Sequence, residues 1–351
     1  MDKVDQGRIQ GCLAGVAIGD ALGMPVEMMT PAEILQATGG AGVTDLLSPI
    51  QRRIKGTQGL APGATTDDTQ LTFAVARALI DCRDFKIARQ ALELVIAYEK
   101  NDFGWGRSTR KAAKELRAYL ADGGRSPGVG RHPELPVPPP VKPGDGCGNG
   151  VAMKIAPLAV FHALGGGFPE PFLSDAMALG LMTHGDPRAS FAAAALGAAI
   201  DAVLSNRCKP CDGFCLRHLV LRQAVQTAER LEFRYQFFRN NAADTLSARL
   251  KVLWNSLGDA AGLRDKAGTG CFALESVPFA IGTFLRHPAD FRRGVLEAVN
   301  AGGDADSTAS MVGALIGANV GLANLPPEWT GRVPAVAQAL KIADELTAAA
   351  R

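Results

Sequence analysis

Apolar residues recur at three- and four-residue spacing along most of the chain, the period of a helix with one buried face. The pattern predicts helices over Ile9–Leu22, Thr69–Asp81, Ile87–Lys100, Ser108–Leu120, Val151–Leu164, Pro187–Leu204, Leu216–Leu231, Ala242–Leu257, Phe291–Asn300, Thr308–Leu322 and Pro334–Ala350. Strand-like alternation is scarce, and no run of β-branched residues looks like a sheet core. The expected fold is therefore all-α, a single compact helical domain over residues 1–351 rather than an α/β layer structure.

Two segments interrupt the helical pattern. Residues 121–146 hold seven prolines and many glycines, which predicts an irregular, partly polyproline surface loop. The same composition and helical period resume at once after it, so it reads as a loop inside one domain and not as a boundary. Residues 206–213 form a polar, Cys-containing break between two helices.

Composition narrows the class. The 351 residues are 47% hydrophobic but only 6% aromatic. More than one in four is Ala or Gly, which suits closely packed helices and argues against a β-sandwich or a platform for stacking bases. A net charge of +2 removes the main electrostatic argument for binding nucleic acid or an acidic membrane. The start lacks a basic region, and the apolar run after Cys12 is broken by Asp20, so no signal peptide is expected. The uncharged stretch Ser307–Pro327 carries Gly313, Gly317 and Gly321 at GxxxG spacing. It also holds five Ser, Thr or Asn residues and ends in two prolines, so a buried helix packed through its glycines is expected instead of a membrane span. Seven cysteines, an odd number without an export signal, point to a reducing cytoplasm, and a monomer is expected.

Two short acidic clusters carry the chemistry. Thr65-Thr66-Asp67-Asp68-Thr69 precedes one amphipathic helix, and Gly302-Gly303-Asp304-Ala305-Asp306-Ser307-Thr308 precedes the Gly-rich one. Helix capping accounts for one Asp, Ser or Thr at each place. It does not account for two closely spaced Asp with flanking hydroxyls at both. Oxygen-only ligands, several of them carboxylates, suit Mg²⁺, Mn²⁺ or Ca²⁺ and not zinc. Four carboxylates gathered together would need more than one divalent ion, which suggests a dinuclear centre.

The ordered set Gly19-Asp20-Ala21-Leu22-Gly23-Met24-Pro25-Val26-Glu27, Thr66-Asp67-Asp68-Thr69, Gly148-Asn149-Gly150-Val151-Ala152-Met153, Thr183-His184 and Gly302–Thr308 resembles the ADP-ribosylglycohydrolase family. That family includes the dinitrogenase reductase-activating glycohydrolases and the crystallin J1 relatives. The resemblance implies an all-α fold with a binuclear Mg²⁺ or Mn²⁺ centre. It implies metal ligation by Thr66, Asp67 and Asp68 from one side and by Asp304, Asp306 and Ser307 from the other. Ser307 stands where the family commonly has Thr, which keeps the hydroxyl. Glu27 matches an acidic residue beside the metals, and Glu27 or a metal-bound acid such as Asp304 is implied as the catalytic acid/base. The apolar neighbours Met24, Val26, Met28 and Met29 argue against Glu27 being an ordinary exposed helix-end acid.

Further residues follow from the same resemblance. Gly146-Cys147-Gly148-Asn149-Gly150 opens a helix whose N–H groups would cradle the pyrophosphate of ADP-ribose. Lys154 stands where the family often has Arg. Asp102 falls in a segment where arginine-specific members place an acid facing the guanidinium, although the spacing to Ser108-Thr109-Arg110 is longer here and a plain turn Asp is the alternative. His184 lies where relatives approach substrate, a structural His being the alternative. Cys208, Cys211, Cys215 and His218 have residue types and spacing that could ligate zinc, with ordinary thiols as the default. The implied activity is metal-dependent hydrolysis of the N-glycosidic bond of mono-ADP-ribosylated protein, ADP-ribosyl-arginine first. The alternatives are another ADP-ribose linkage (serine, polymer or acetyl ester), a non-catalytic crystallin J1-like relative, or a generic Mg²⁺-dependent phosphohydrolase.

Overall fold

A computed structural model describes residues 4–54, 56–122, 146–166, 168–206, 214–236 and 244–350. The expected proline-rich loop, apart from its ends, and the break at 207–213 lie outside the described residues. Within them the chain forms α1 (Gln6–Gly23), α2 (Pro31–Ala37), α3 (Asp67–Cys82), α4 (Ile87–Lys100), α5 (Arg107–Ala121), α6 (Ala156–Gly165), α7 (Glu170–Leu181) and α8 (Pro187–Ser205). It continues with α9 (Phe214–Arg234), α10 (Leu246–Lys251), α11 (Ala260–Ala267), α12 (Ala273–Arg286), α13 (Phe291–Asn300), α14 (Ala305–Val320), α15 (Pro327–Thr330) and α16 (Ala335–Ala349). The only ladder pairing among the described residues is a single antiparallel bridge between Gly148 and Phe272, so the all-α class stands.

The helical period locates α4 and α13 to the residue. It misses α2, α7, α11, α12 and α15, and the prolines are one reason. Pro31, Pro171 and Pro327 lie in the first turns of α2, α7 and α15, where a missing N–H costs nothing, yet in sequence they read as breaks. Pro278 lies inside α12. The expected helix over Val151–Leu164 is divided into a 3₁₀ turn at Ala152–Lys154 and α6, which begins at Ala156 with Pro157 in its first turn. Similarly, Ala242–Leu257 resolves into α10 and a 3₁₀ segment at Val252–Ser256.

Two central helices set the architecture. From Gly11 to Gly23 every residue of α1 is buried, and α14 is buried from Ala305 to Ala318. They run antiparallel with Gly11 facing Gly317, Gly15 facing Gly313, Gly19 facing Ala309 and Gly23 facing Ala305. A Cβ on any of those four α1 glycines would fall within 3.0 Å of α14 backbone atoms. The small-residue stripe is thus a backbone-to-backbone contact, as GxxxG spacing implies for Gly313 and Gly317. Gly321 does a different job: at φ +78° it ends α14, and a Cβ placed on it would make only ordinary contact with α1. The other helices pack around this pair, α8, α12 and α13 against α14, and α3 and α16 against α1. The helices at Gln6–Val26 and Pro187–Ser205 are long and apolar enough to cross a membrane, but 94% and 83% of their most apolar windows are buried inside the protein.

The antiparallel pairing has a direct consequence. It brings the C-terminal end of α1, with Glu27 just beyond it, beside the N-terminal end of α14, with Asp304 and Asp306.

Candidate active site

Glu27 follows a 3₁₀ turn at Met24–Val26 that continues α1. The next residue, Met28, sits at φ +63°, and its N–H donates to the Gly303 carbonyl at 2.6 Å. Gly303 returns a bond to the Met29 carbonyl at 2.8 Å, so the two loops are tied reciprocally. Gly302 and Gly303 both lie at positive φ, and a Cβ on Gly303 would strike the Thr269 backbone. Asp304 then donates its N–H to the Thr269 carbonyl at 2.7 Å. One carboxylate oxygen from each of Glu27, Asp304 and Asp306 lies within 4.8 Å of the other two, and all three residues are buried.

The second acidic cluster reaches the same place through Asp20, a residue to which the sequence reading gives no role. Its carboxylate accepts from the Thr66 N–H (3.0 and 2.9 Å), the Thr66 hydroxyl (2.8 Å), the Thr69 N–H (3.1 Å) and the Thr69 hydroxyl (2.6 Å). Asp20 thereby fastens the first turn of α3 to α1 and faces Asp67 and Asp68 toward the triad. Asp67, Asp68, Glu27, Asp304, Asp306 and Ser307 all line one cleft of about 670 Å³. Thr66 is buried beside it but is absent from the lining, with its hydroxyl given to Asp20. Ser307 donates to Asp68 Oδ2 at 3.2 Å, joining the two clusters across α3 and α14.

Crowding and burial govern the electrostatics. Burial, then the Asp20 charge, pushes Asp67 up to about 8. Glu27 is held well above the usual carboxylate range by burial and then by Asp304; Asp68 by burial and then Asp20; Asp306 by burial and then Glu27. Burial also raises Asp20, against four hydrogen-bonding groups that favour its ionised form. Glu27 Oε2 and Asp68 Oδ1 are buried with no hydrogen-bond partner. Unpaired buried acceptors of this kind are costly, and an oxygen-only, acid-rich donor set is what a hard divalent cation fits. The triad is compatible with a metal site on these grounds.

The opposite wall is the Gly146–Gly150 turn. Gly146, Gly148, Asn149 and Gly150 line the cleft, whereas Cys147 is turned away toward Arg188 and burial raises its thiol to about 12. Both kinds of Asn149 donor are engaged within the protein: the N–H with the Cys271 carbonyl at 2.9 Å and the side-chain amide with Asp304 Oδ2 at 2.7 Å. Asn149 therefore aims Asp304. His184 lies under the turn, its Nδ1 bonded to the Thr183 hydroxyl at 2.8 Å. Burial, aided by Lys154, lowers His184 to about 3, so it is neutral at pH 7.

Asp102 is not brought into the cleft. Its carboxylate accepts from Arg110 Nε at 2.9 Å on the half-exposed surface, the plain-turn alternative of the sequence reading, while Gly104 to Thr109 of the same region do line the site. The zinc-type cluster is divided: Cys208 and Cys211 lie outside the described residues, while Cys215 and His218 line a separate surface cavity with Trp254.

The family model for ADP-ribosylglycohydrolase matches residues 1–351. The chain belongs to the ADP-ribosylglycohydrolase family. It is 24% identical over 328 residues to the ADP-ribosyl-dinitrogen reductase glycohydrolase of Rhodospirillum rubrum, covering 93% of this chain and 90% of that one. It is 26% identical over 352 residues to the ADP-ribosylarginine hydrolase Tri1 of Pseudomonas putida (97% and 77% of the two chains). It is 25% identical over 347 residues to the ADP-ribosylhydrolase ARH3 of Homo sapiens (92% and 88%). A solved ADP-ribosylglycohydrolase-related protein complex superposes with a TM-score of 0.67 at 26% identity, covering 99% of each chain. Family membership implies substrates containing ADP-ribose.

Proposed function

We propose that this chain is a divalent-cation-dependent hydrolase of ADP-ribosylated protein, with the N-glycosidic bond to arginine as its first substrate. The observation that carries the reading is the convergence of Glu27, Asp304 and Asp306 within 4.8 Å, with Asp67, Asp68 and Ser307 on the same cleft and unpartnered buried oxygens on Glu27 and Asp68. Those residues, with Thr66 behind them, are the ones to hold two Mg²⁺ or Mn²⁺ ions. Bound there, the ions would neutralise the acids, bind ribose hydroxyls and make water more acidic.

The chain's own residues supply the rest. Breaking the ribose C1″–N bond leaves positive character on the sugar, which the surrounding carboxylates stabilise. Glu27 is the best-placed proton carrier: it lines the cleft and its Oε2 is unpartnered. Asn149 and Asp20 keep Asp304 and the Asp67–Asp68 pair aimed while charge develops. The Gly146–Gly150 wall lets the diphosphate lie close to the backbone over neutral His184.

Linkage is tested by incubating the purified protein with arginine-linked, serine-linked, polymeric and acetyl-ester ADP-ribose, each with Mg²⁺, Mn²⁺ or EDTA, and measuring ADP-ribose release. Release from the arginine substrate that EDTA, Asp304→Ala and Asp306→Ala abolish supports the proposal. Survival of that release in EDTA, or release of inorganic phosphate in its place, overturns it. ADP-ribose binding without turnover of any substrate would favour the crystallin-like, non-catalytic reading.

A further inference from the structure

Among the described residues Lys154 is the one lysine or arginine that is buried, 1% exposed, and the mechanism above makes no use of it. It ends the 3₁₀ turn Ala152–Lys154 behind the cleft wall, and its ammonium donates to the Gly150 carbonyl at 2.7 Å. The turn packs against α3, where the Thr72 hydroxyl donates to the Met153 carbonyl at 3.3 Å. The ammonium is thus held beside the helix that begins with Asp67 and Asp68, and its charge acts on both; burial leaves it with a pKa of about 8. Burying an ammonium is costly unless something requires it. A methionine would fill the same volume in this apolar segment without that cost.

Resting on the proposed cation reading, the structure assigns Lys154 two opposed positioning roles: its fixed positive charge weakens divalent-cation binding to the Asp67–Asp68 side of the cleft, and its bond to Gly150 holds the turn that receives ADP-ribose. The first role follows from like charge near a shared set of carboxylates in a poorly solvated site. Lys154 satisfies part of the negative charge that cations would otherwise neutralise alone, so the ions bind reversibly. The second follows from the geometry of the turn. Asn149, one residue before the bonded carbonyl, points its amide at Asp304, so a turn that sags at Gly150 also misaims Asp304.

The two roles separate experimentally. Lys154→Met removes charge and hydrogen bond, Lys154→Gln removes the charge but keeps a donor, and Lys154→Arg keeps both. Free Mn²⁺ is followed by electron paramagnetic resonance in titrations of the full-length protein at pH 7, and ADP-ribose affinity by calorimetry at saturating Mn²⁺. Mn²⁺ binding should tighten about tenfold in Lys154→Gln, tighten less in Lys154→Met, where the misaimed Asp304 offsets the lost charge, and stay unchanged in Lys154→Arg. ADP-ribose binding should weaken about five- to tenfold in Lys154→Met alone. Unchanged Mn²⁺ affinity in Lys154→Gln, or the same gain in Lys154→Arg, overturns the charge role while leaving the cation site intact. Unchanged ADP-ribose affinity in Lys154→Met overturns the turn role. If the unaltered protein binds no Mn²⁺, the cation reading falls and this inference with it.

Discussion

Gly15 of α1 and Gly313 of α14 meet backbone to backbone, with no room for a side chain on either. That contact fixes the separation of the two helices whose ends carry Glu27 and Asp306, so packing at the centre of the molecule sets distances at the site. Replacing Gly15 with Ala should cost about 1–3 kcal/mol through overpacking against a rigid carbonyl, partly offset by about 1 kcal/mol of helix propensity. The melting temperature should fall, and the rise in melting temperature on adding Mn²⁺ should shrink as well. A Gly15→Ala protein with wild-type melting and wild-type Mn²⁺ response would mean that this contact does not set the site.

Asp20 never touches the cleft, yet it holds one side of it in place through bonds to Thr66 and Thr69. Asp20→Asn replaces an oxygen facing N–H donors with an NH₂ group, leaving buried donors opposed. The expected loss is on the order of 2–3 kcal/mol of stability, together with about tenfold weaker Mn²⁺ binding as Asp67 and Asp68 lose their alignment. Calorimetric melting and a Mn²⁺ titration check both. Unaltered Mn²⁺ affinity in a destabilised Asp20→Asn protein would show that Asp20 supports the fold alone.

How much of this was legible beforehand differs from element to element. The period-3.6 pattern located the long amphipathic helices, and hydroxyl-flanked Asp pairs marked both acidic clusters. Two residues were in plain sight and were read for other purposes. Asp20 breaks an apolar run and belongs to a family motif without a role of its own there, although a lone carboxylate in a buried helix must have partners waiting elsewhere. Lys154 was compared only with the family's Arg, although a lone ammonium in an apolar segment poses the same question. Other facts have no local signal. Nothing near Asn149 says that its amide crosses 155 residues of sequence to Asp304, and nothing near Gly15 names Gly313 as its partner. Those pairings exist only once the antiparallel register of α1 and α14 is set. Asp102 is the converse case, where a family position suggested a cleft residue and Arg110, eight residues on in the first turn of α5, claims the carboxylate.

Glu27→Gln keeps the shape of the side chain and removes its ability to carry a proton. If Glu27 is the acid/base, kcat for ADP-ribosyl-arginine should fall about 10²- to 10⁴-fold, with ADP-ribose binding changed far less. Steady-state rates and product-binding calorimetry on the same preparation make the comparison. A kcat within tenfold of wild type would return the proton to another group, with Asp304 next in line by position.

The crowded acids make a prediction about pH whose sign is opposite to that of an ordinary salt-bridged protein. Glu27, Asp67, Asp68 and Asp306 have folded-state pKa values above their unfolded values, with Asp67 at about 8. Between about pH 4, where free carboxyls titrate, and about 8, the folded chain holds protons that the unfolded chain has released. Stability without cations must therefore fall as pH rises across that window, by about 1.4 kcal/mol per pH unit for each proton of difference. His184, lowered to about 3, contributes the reverse slope below about 6.5, and Lys154, lowered to about 8, begins to contribute it as pH nears 8, so the four raised acids outweigh both from about 6.5 to 8. EDTA-treated protein should melt lower at pH 8 than at pH 6.5. Mn²⁺ takes the place of the protons, so its stabilising effect should grow over the same interval and flatten or reverse the trend. Melting curves at half-unit steps, with EDTA and with Mn²⁺, read both slopes. An EDTA-treated protein that gains stability from pH 6.5 to 8 would show that the buried acids do not share the raised values their burial and mutual repulsion require.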